Sequence, residues 1–232
     1  MSRPLLITDC DEVLLHMIAH FRDWLAEEDG GACHLSRAEF SPTMRRADTG
    51  APLEQAEMWA LLNKFFDGQM HRQTAVPGAV AAIAAIREQA DVVVLTNLKD
   101  FRQEARRRQL ADHGIDVRVF TNQGPKGPAL QAILDEYRPS RAVFIDDLHQ
   151  HHGSVSQVAP HVRRLHLCAE PQIAPYIPCA FAAGHAHARI DEWEGALPWL
   201  LDELCAQSSP SLSRGGTNRD QDCMPPKAEE HS

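Results

Sequence analysis

No Cys-x-x-Cys pair occurs in this chain of 232 residues; its six cysteines, Cys10, Cys33, Cys168, Cys179, Cys205 and Cys223, stand singly. With neither that pairing nor a secretory leader, reduced thiols in a cytoplasmic protein are the expectation. Long apolar runs are missing too. Residues 1–7 are too short for the apolar core of a signal peptide, and the longest aliphatic stretch, residues 79–86, is too short to cross a bilayer. No membrane partner is therefore expected. Basic charge is in deficit: 23 Lys and Arg face 32 Asp and Glu, a formal charge of −9, whereas a nucleic-acid surface normally needs a basic face. The densest basic run, Arg106-Arg107-Arg108, points its side chains in different directions around a helix and reads as a solvated face. No internal repeat is present. What remains, 44% hydrophobic and 24% charged, is the make-up of a soluble globular protein with room for one sizeable core, or a core and a small cap.

Hydrophobic spacing divides the chain. Residues 4–8 read as a short buried strand. Residues 14–76 then lack strand alternation and carry two helical stripes, Ile18, Phe21, Trp24, Leu25 and Met58, Leu61, Leu62, Phe65, Phe66, separated by turn residues Ser41-Pro42 and Asp48 to Pro52. Phe21, Trp24, Trp59, Phe65 and Phe66 are expected to form this insertion's own core. From Pro77-Gly78 onward strand and helix alternate: helix over 79–89, strand over 91–95, helix over 101–113 capped by Gly114, strand through Ile115, Val117 and Val119. A helix follows through Leu130, Ile133, Leu134 and Tyr137, then a strand over 142–145, a helix near 155–159, an alternating segment over 162–167 and a last helix over 193–204. The boundaries that follow are 1–13 and 77–206 for an α/β core with a parallel sheet, 14–76 for an α-helical insertion, and 207–232 for a polar tail expected to be disordered.

Four polar groups come just after apolar runs. Asp9 and Asp11 follow the first strand; residues two apart on an extended segment face one way, so both carboxylates can address one substrate. Two carboxylates so close favour a divalent cation or a raised pKa on one of them, and a division into nucleophile (Asp9) and acid, then base (Asp11). Thr96-Asn97 after the second core strand offers a hydroxyl and an amide to phosphate oxygens. Lys126, in Gly124-Pro125-Lys126-Gly127-Pro128, sits on a rigid loop leading into a helix, and Asp146-Asp147 offers hard oxygen ligands to Mg²⁺. Arg45, Arg46 and His71 in the insertion are candidates to touch an anionic substrate. His149, His151 and His152 lack companion ligands for zinc; His185 and His187 lie in an Ala-Gly-rich stretch and are expected to be exposed. Cys10 is expected to turn into the core while the aspartates beside it face outward.

In order and spacing these four segments resemble the motifs of the haloacid dehalogenase (HAD) superfamily of phosphohydrolases. Its Asp-x-Asp-x-Thr/Val motif is similar to Asp9-Cys10-Asp11-Glu12-Val13, its strand-terminal Ser/Thr to Thr96, its lysine to Lys126 and its acidic motif to Asp146-Asp147. Glu12 stands where the family often has glycine. The resemblance spans residues 4–168 and implies a Rossmann-like three-layer core with a C1-type helical cap inserted after the first strand. It also implies a Mg²⁺-dependent phosphatase acting on a small phosphorylated metabolite through an aspartyl phosphate on Asp9. Mg²⁺ would be held by Asp9, the Asp11 main-chain carbonyl, Asp146 and Asp147. A phosphotransferase or mutase would use the same residues. A dehalogenase fits less well, and a silent binding or regulatory protein on the same scaffold is the alternative outside enzymes.

Overall fold

A computed structural model describes residues 2–28, 33–35, 44–46 and 49–206. In chain order, β1 (Leu5–Thr8) precedes an insertion made of α1 (Ile18–Glu28), β2 (Cys33–Leu35), β3 (Met44–Arg46) and α2 (Gln55–Gly68). After it come α3 (Ala79–Arg87), β4 (Asp91–Thr96), α4 (Gln103–Asp112), β5 (Arg118–Thr121), α5 (Gly127–Tyr137), β6 (Ala142–Asp146), α6 (His149–Val158), β7 (Arg163–His166), β8 (Ala188–Arg189) and α7 (Trp193–Cys205). The Ser41-Pro42 turn, Asp48, Cys223 and the tail at 207–232 lie outside the described residues.

The core strands form one parallel sheet in the order β5-β4-β1-β6-β7-β8. Strands buried on both faces need apolar residues at successive positions, and β1, β4 and β6 have them. Alternate residues serve opposite faces. Leu6, Val92, Val94, Val143 and Ile145 pack with residues of α3 and α7, while Leu5, Ile7, Val93, Leu95 and Phe144 pack with α5 and α6. The result is a three-layer α/β/α core with β1 near its centre. Register does the rest. Thr8 pairs with Val94 on one side and Ile145 on the other, so Asp9, Thr96 and Asp146 come out at the same edge.

The insertion has its own small core of Phe21, Trp24, Leu25, Leu53, Met58 and Phe65. Phe65 meets Phe21 edge-on at a centroid distance of 5.4 Å. Trp59 does not join this cluster: it is 54% exposed, because its side chain leaves α2 about 100° around the helix from buried Met58. The insertion is also not purely helical, since β2 and β3 pair antiparallel. Its two ends run side by side, with His16 N–H donating to Thr74 O at 2.9 Å and Val76 N–H to Leu14 O at 2.9 Å.

Three further expectations need correction. Gly114 does cap α4 in the left-handed region (φ 88°). Strand pairing, however, starts only at Arg118, opposite Val93; Ile115 and Val117 alternate because they are buried in the core on their way to the sheet edge. The arginine triplet is not wholly solvated, for Arg106 is 0% exposed. His185 and His187 are half-buried: His187 Nδ1 accepts the Arg164 N–H at 3.0 Å, and burial pushes its imidazole down to about 4.

Candidate active site

Asp9 leaves the end of β1 with its N–H donating to Ile145 O at 2.9 Å, which fixes it beside β6. Lys126 arrives from the other direction. Gly124 turns the chain at φ 96°, and α5 then begins at Gly127, whose N–H donates to Ser154 Oγ at 3.0 Å. A Cβ on Gly127 would stand 2.6 Å from Ser154 O, so only glycine lets α5 approach α6 this closely. That approach carries Lys126 into the interior, where its Nζ lies 2.8 Å from Asp9 Oδ1 and 2.6 Å from Asp146 Oδ2. Asp146 Oδ1 accepts the Leu148 N–H at 2.9 Å.

The charges are unbalanced. Burial opposes the Lys126 ammonium, but Asp146 and Asp9 outweigh it and hold the group above its usual value. Burial likewise opposes the Asp146 carboxylate, and Lys126 keeps it below the usual range. Asp9 is pushed up to about 7 by burial, with Lys126 pulling it down and Asp146 and Asp11 adding to the rise. Burial, then Asp146 and Asp9, raise Asp147 well above an ordinary carboxylate. One ammonium thus serves three carboxylates whose oxygens lie within 4.8 Å of one another. An all-oxygen donor set of three buried carboxylates against one ammonium fits a hard divalent cation.

Asp11 is placed differently. Both its oxygens are held by Arg106 Nη2, at 2.9 and 3.0 Å, and Gln73 Nε2 donates to Oδ1 at 2.7 Å. Arg106 Nη1 also approaches Cys10 Sγ at 3.1 Å; that thiol faces the core as expected, and burial raises its pKa. Thr96 is buried at the end of β4. The Asn97 amide donates to Gly124 O at 3.0 Å and accepts from Asn122 at 2.9 Å, ordering the Lys126 loop. Arg45 and Arg46 bond Gly50 O and Glu57 within the insertion, and His71 lies on the single turn after α2.

No protein-family model and no curated protein matches the sequence. Solved structures do share its fold. A HAD family hydrolase from Deinococcus radiodurans R1, solved with bound phosphate and sodium, superposes with a TM-score of 0.61 at 16% identity, covering 86% of this chain and 95% of that one. A haloacid dehalogenase-like hydrolase from Streptococcus pneumoniae gives 0.60 at 10% identity over 86% and 98% of the two chains. A conserved haloacid dehalogenase-like protein of unknown function from Agrobacterium tumefaciens C58 gives 0.59 at 16% identity over 85% and 96%.

The fold is haloacid dehalogenase-like.

Within this haloacid dehalogenase-like fold, the loop after β1 solves a local problem in its own way. Glu12 has φ 60°, the left-handed region in which glycine is at ease and other residues are strained. Its side chain offsets that cost by capping α1: Met17 and Ile18 donate their N–H groups to Glu12 Oε1 at 2.9 and 2.6 Å. Two histidines brace the acidic motif from behind. His152 Nε2–H donates to Asp146 O at 3.0 Å, and His166 Nε2–H donates to Asp147 O at 2.7 Å. The Ala180 N–H bonds His166 Nδ1 at 3.0 Å, which fixes the neutral tautomer. Burial holds both imidazoles down at about 4. In the sequence His152 reads as a doubtful zinc ligand and Arg106 as part of a solvated helix face, while nothing singles out His166 or Gln73. The one available signal was that Arg102, Arg106, Gln109 and Leu110 share a helix face.

Proposed function

We propose that this protein is a Mg²⁺-dependent phosphatase of haloacid dehalogenase type, hydrolysing a small phosphorylated metabolite through an aspartyl phosphate on Asp9. The observation that carries this reading is Lys126, fully enclosed and in contact with both Asp9 and Asp146, in a group with Asp147 that has more negative than positive charge. The Deinococcus structure of the same fold, with its bound phosphate, supports it.

Asp9, Asp146 and Asp147, with the Asp11 main-chain carbonyl, would hold the cation, which when bound offsets the charge of a phosphate. Asp9 attacks phosphorus in line as the bond to the leaving oxygen breaks, and Asp11 gives that oxygen its proton. Asp11 then takes a proton from the water that attacks phosphorus, which releases phosphate and restores Asp9. Lys126 and the Thr96 hydroxyl stabilise the charge on the transferring group. To donate, the Asp11 carboxyl has to turn away from Arg106, and the insertion at 14–76, acting as a C1-type cap, closes over the substrate and excludes water.

Phosphate release from a panel of phosphorylated metabolites with Mg²⁺ tests the reading. Asp9→Asn should lower turnover by roughly 10³-fold or more, and EDTA should suppress the wild type. Undiminished turnover in Asp9→Asn would refute it. The grip of Arg106 on Asp11 favours one rival, a phosphate-binding protein without turnover. Wild-type protein that binds phosphate and hydrolyses nothing in the panel would support that rival.

A further inference from the structure

A second set of metal-ligating side chains lies beside the first without sharing a residue. Glu12, in the turn after β1, His16, at the start of the insertion, and Glu170, after β7, each present one donor atom, all within 4.8 Å of one another. Glu12 is 1% exposed and Glu170 7%. The backbone of Glu12 is pinned, its N–H donating to Leu15 O and its carbonyl accepting the Ala169 N–H, both at 2.8 Å. Glu12 Oε1 is used by the N-terminus of α1, yet buried Oε2 has no hydrogen-bond partner and is aimed at His16. His16 Nδ1 is also without one, 3.9 Å from Glu12 Oε2 and 3.8 Å from Glu170 Oε2.

These separations decide between two kinds of contact. A hydrogen bond from imidazolium to carboxylate closes to about 2.7–3.2 Å, and neither does so here. Ligands of one ion stand farther apart than hydrogen-bonded atoms, because each is bonded at about 2.0–2.2 Å to the centre and not to its neighbour. Two enclosed carboxylates facing each other also call for positive charge between them, from a metal ion or from a proton on His16.

We propose that Glu12, His16 and Glu170 form a second divalent-cation site, preferring a borderline ion such as Zn²⁺, Mn²⁺ or Co²⁺ to Mg²⁺. The preference follows from the donors. An imidazole nitrogen with two carboxylates suits first-row transition ions, whereas Mg²⁺ keeps to oxygen and several waters. His16 is half-buried, which leaves room for a water to complete the coordination. A bound ion would tie together three segments distant in sequence: the strained turn that presents Asp9 and Asp11, the start of the insertion, and the segment after β7. The inference does not depend on the phosphatase reading.

Co²⁺ binding to the metal-free full chain tests it, by equilibrium dialysis and by the visible absorption of nitrogen-ligated Co²⁺. Wild type should bind two ions per chain, and Asp146→Asn should keep the one with the nitrogen-dependent spectrum. Glu170→Gln, which retains the oxygen that accepts the Gln172 N–H, and His16→Leu should each weaken that ion at least tenfold and leave the other in place. If water or a proton on His16 fills the space instead, Glu170→Gln and wild type will bind the same number of ions with the same affinities. Binding of a single ion that vanishes in Asp146→Asn would overturn the proposal equally. Because the readout is binding, failure here is distinct from failure of the phosphate-release assay.

Discussion

Arg106 brings a full positive charge into the interior, and its tolerance there depends on Asp11. Both carboxylate oxygens meet Nη2, and the guanidinium also lies 5.7 Å from the centre of the Phe66 ring. Removing one member of a buried ion pair costs more than the pair contributes, because the partner is left desolvated. Arg106→Met should lower stability by about 3 kcal/mol, with the Arg106→Met/Asp11→Asn double variant recovering part of it. Urea unfolding midpoints measure both, and a loss below about 1 kcal/mol would show that the pair does not form in solution. Among single residues, Asp9, Thr96, Lys126 and Asp146 were legible because each is a polar group placed right after an apolar run or in a Gly-Pro loop. Arg106 was not, since its partner is 95 positions away and its two neighbours in the triplet are surface arginines paired with Glu104. His152 and His166 were hidden for a related reason: they bind main-chain carbonyls, and a carbonyl has no signature in sequence.

At the scale of elements, α4 shows why periodicity has limits. Arg106, Gln109 and Leu110 lie on its buried face, with buried Arg102 on the turn just before it, and only Leu110 is apolar. The face works by hydrogen bonding instead. Arg102 bonds Asp67 and Asn63 of α2, Gln109 bonds Met70 O, and His113 bonds Gln73 O, so a polar helix side docks the returning end of the insertion. Helices with an apolar stripe, α1 and α5, were readable; β8, two residues long, offered no alternation to read. The junction of α5 with α6 rests on one glycine. Gly127→Ala puts a methyl group 2.6 Å from the main-chain oxygen of Ser154, an atom that cannot rotate away. Overpacking of this kind costs about 1–3 kcal/mol, or roughly 2–10 °C in Tm at this chain length. Thermal unfolding of Gly127→Ala measures it, and an unchanged Tm would mean the two helices are less closely apposed.

For the whole molecule, sheet order has a consequence that alternation alone could not supply. The sequence pattern implied parallel strands, but the central place of β1, between β4 and β6, rests on pairing between residues more than eighty positions apart. That arrangement buries the catalytic candidates together with His152 and His166, and so links global stability to pH. The folded protein holds these two imidazoles at about 4, below the ordinary histidine value of 6.5. As pH falls past 6.5 the unfolded chain takes up protons that the folded chain refuses, so their contribution is complete above 6.5 and is lost progressively down to 4. Asp9 works in the opposite sense: raised to about 7, it favours the folded state more as it is protonated. The two trends offset each other in wild type, and a difference measurement separates them. Relative to His166→Gln, which keeps a donor for Asp147 O and cannot titrate, wild type should lose about 2 kcal/mol between pH 6.5 and 5. Urea unfolding of both proteins across that range gives the difference directly, with Asp9 common to both. A difference that stays flat with pH would mean that His166 takes up its proton in the folded protein as readily as in the unfolded chain, and the bracing of Asp147 by a neutral imidazole would have to be abandoned.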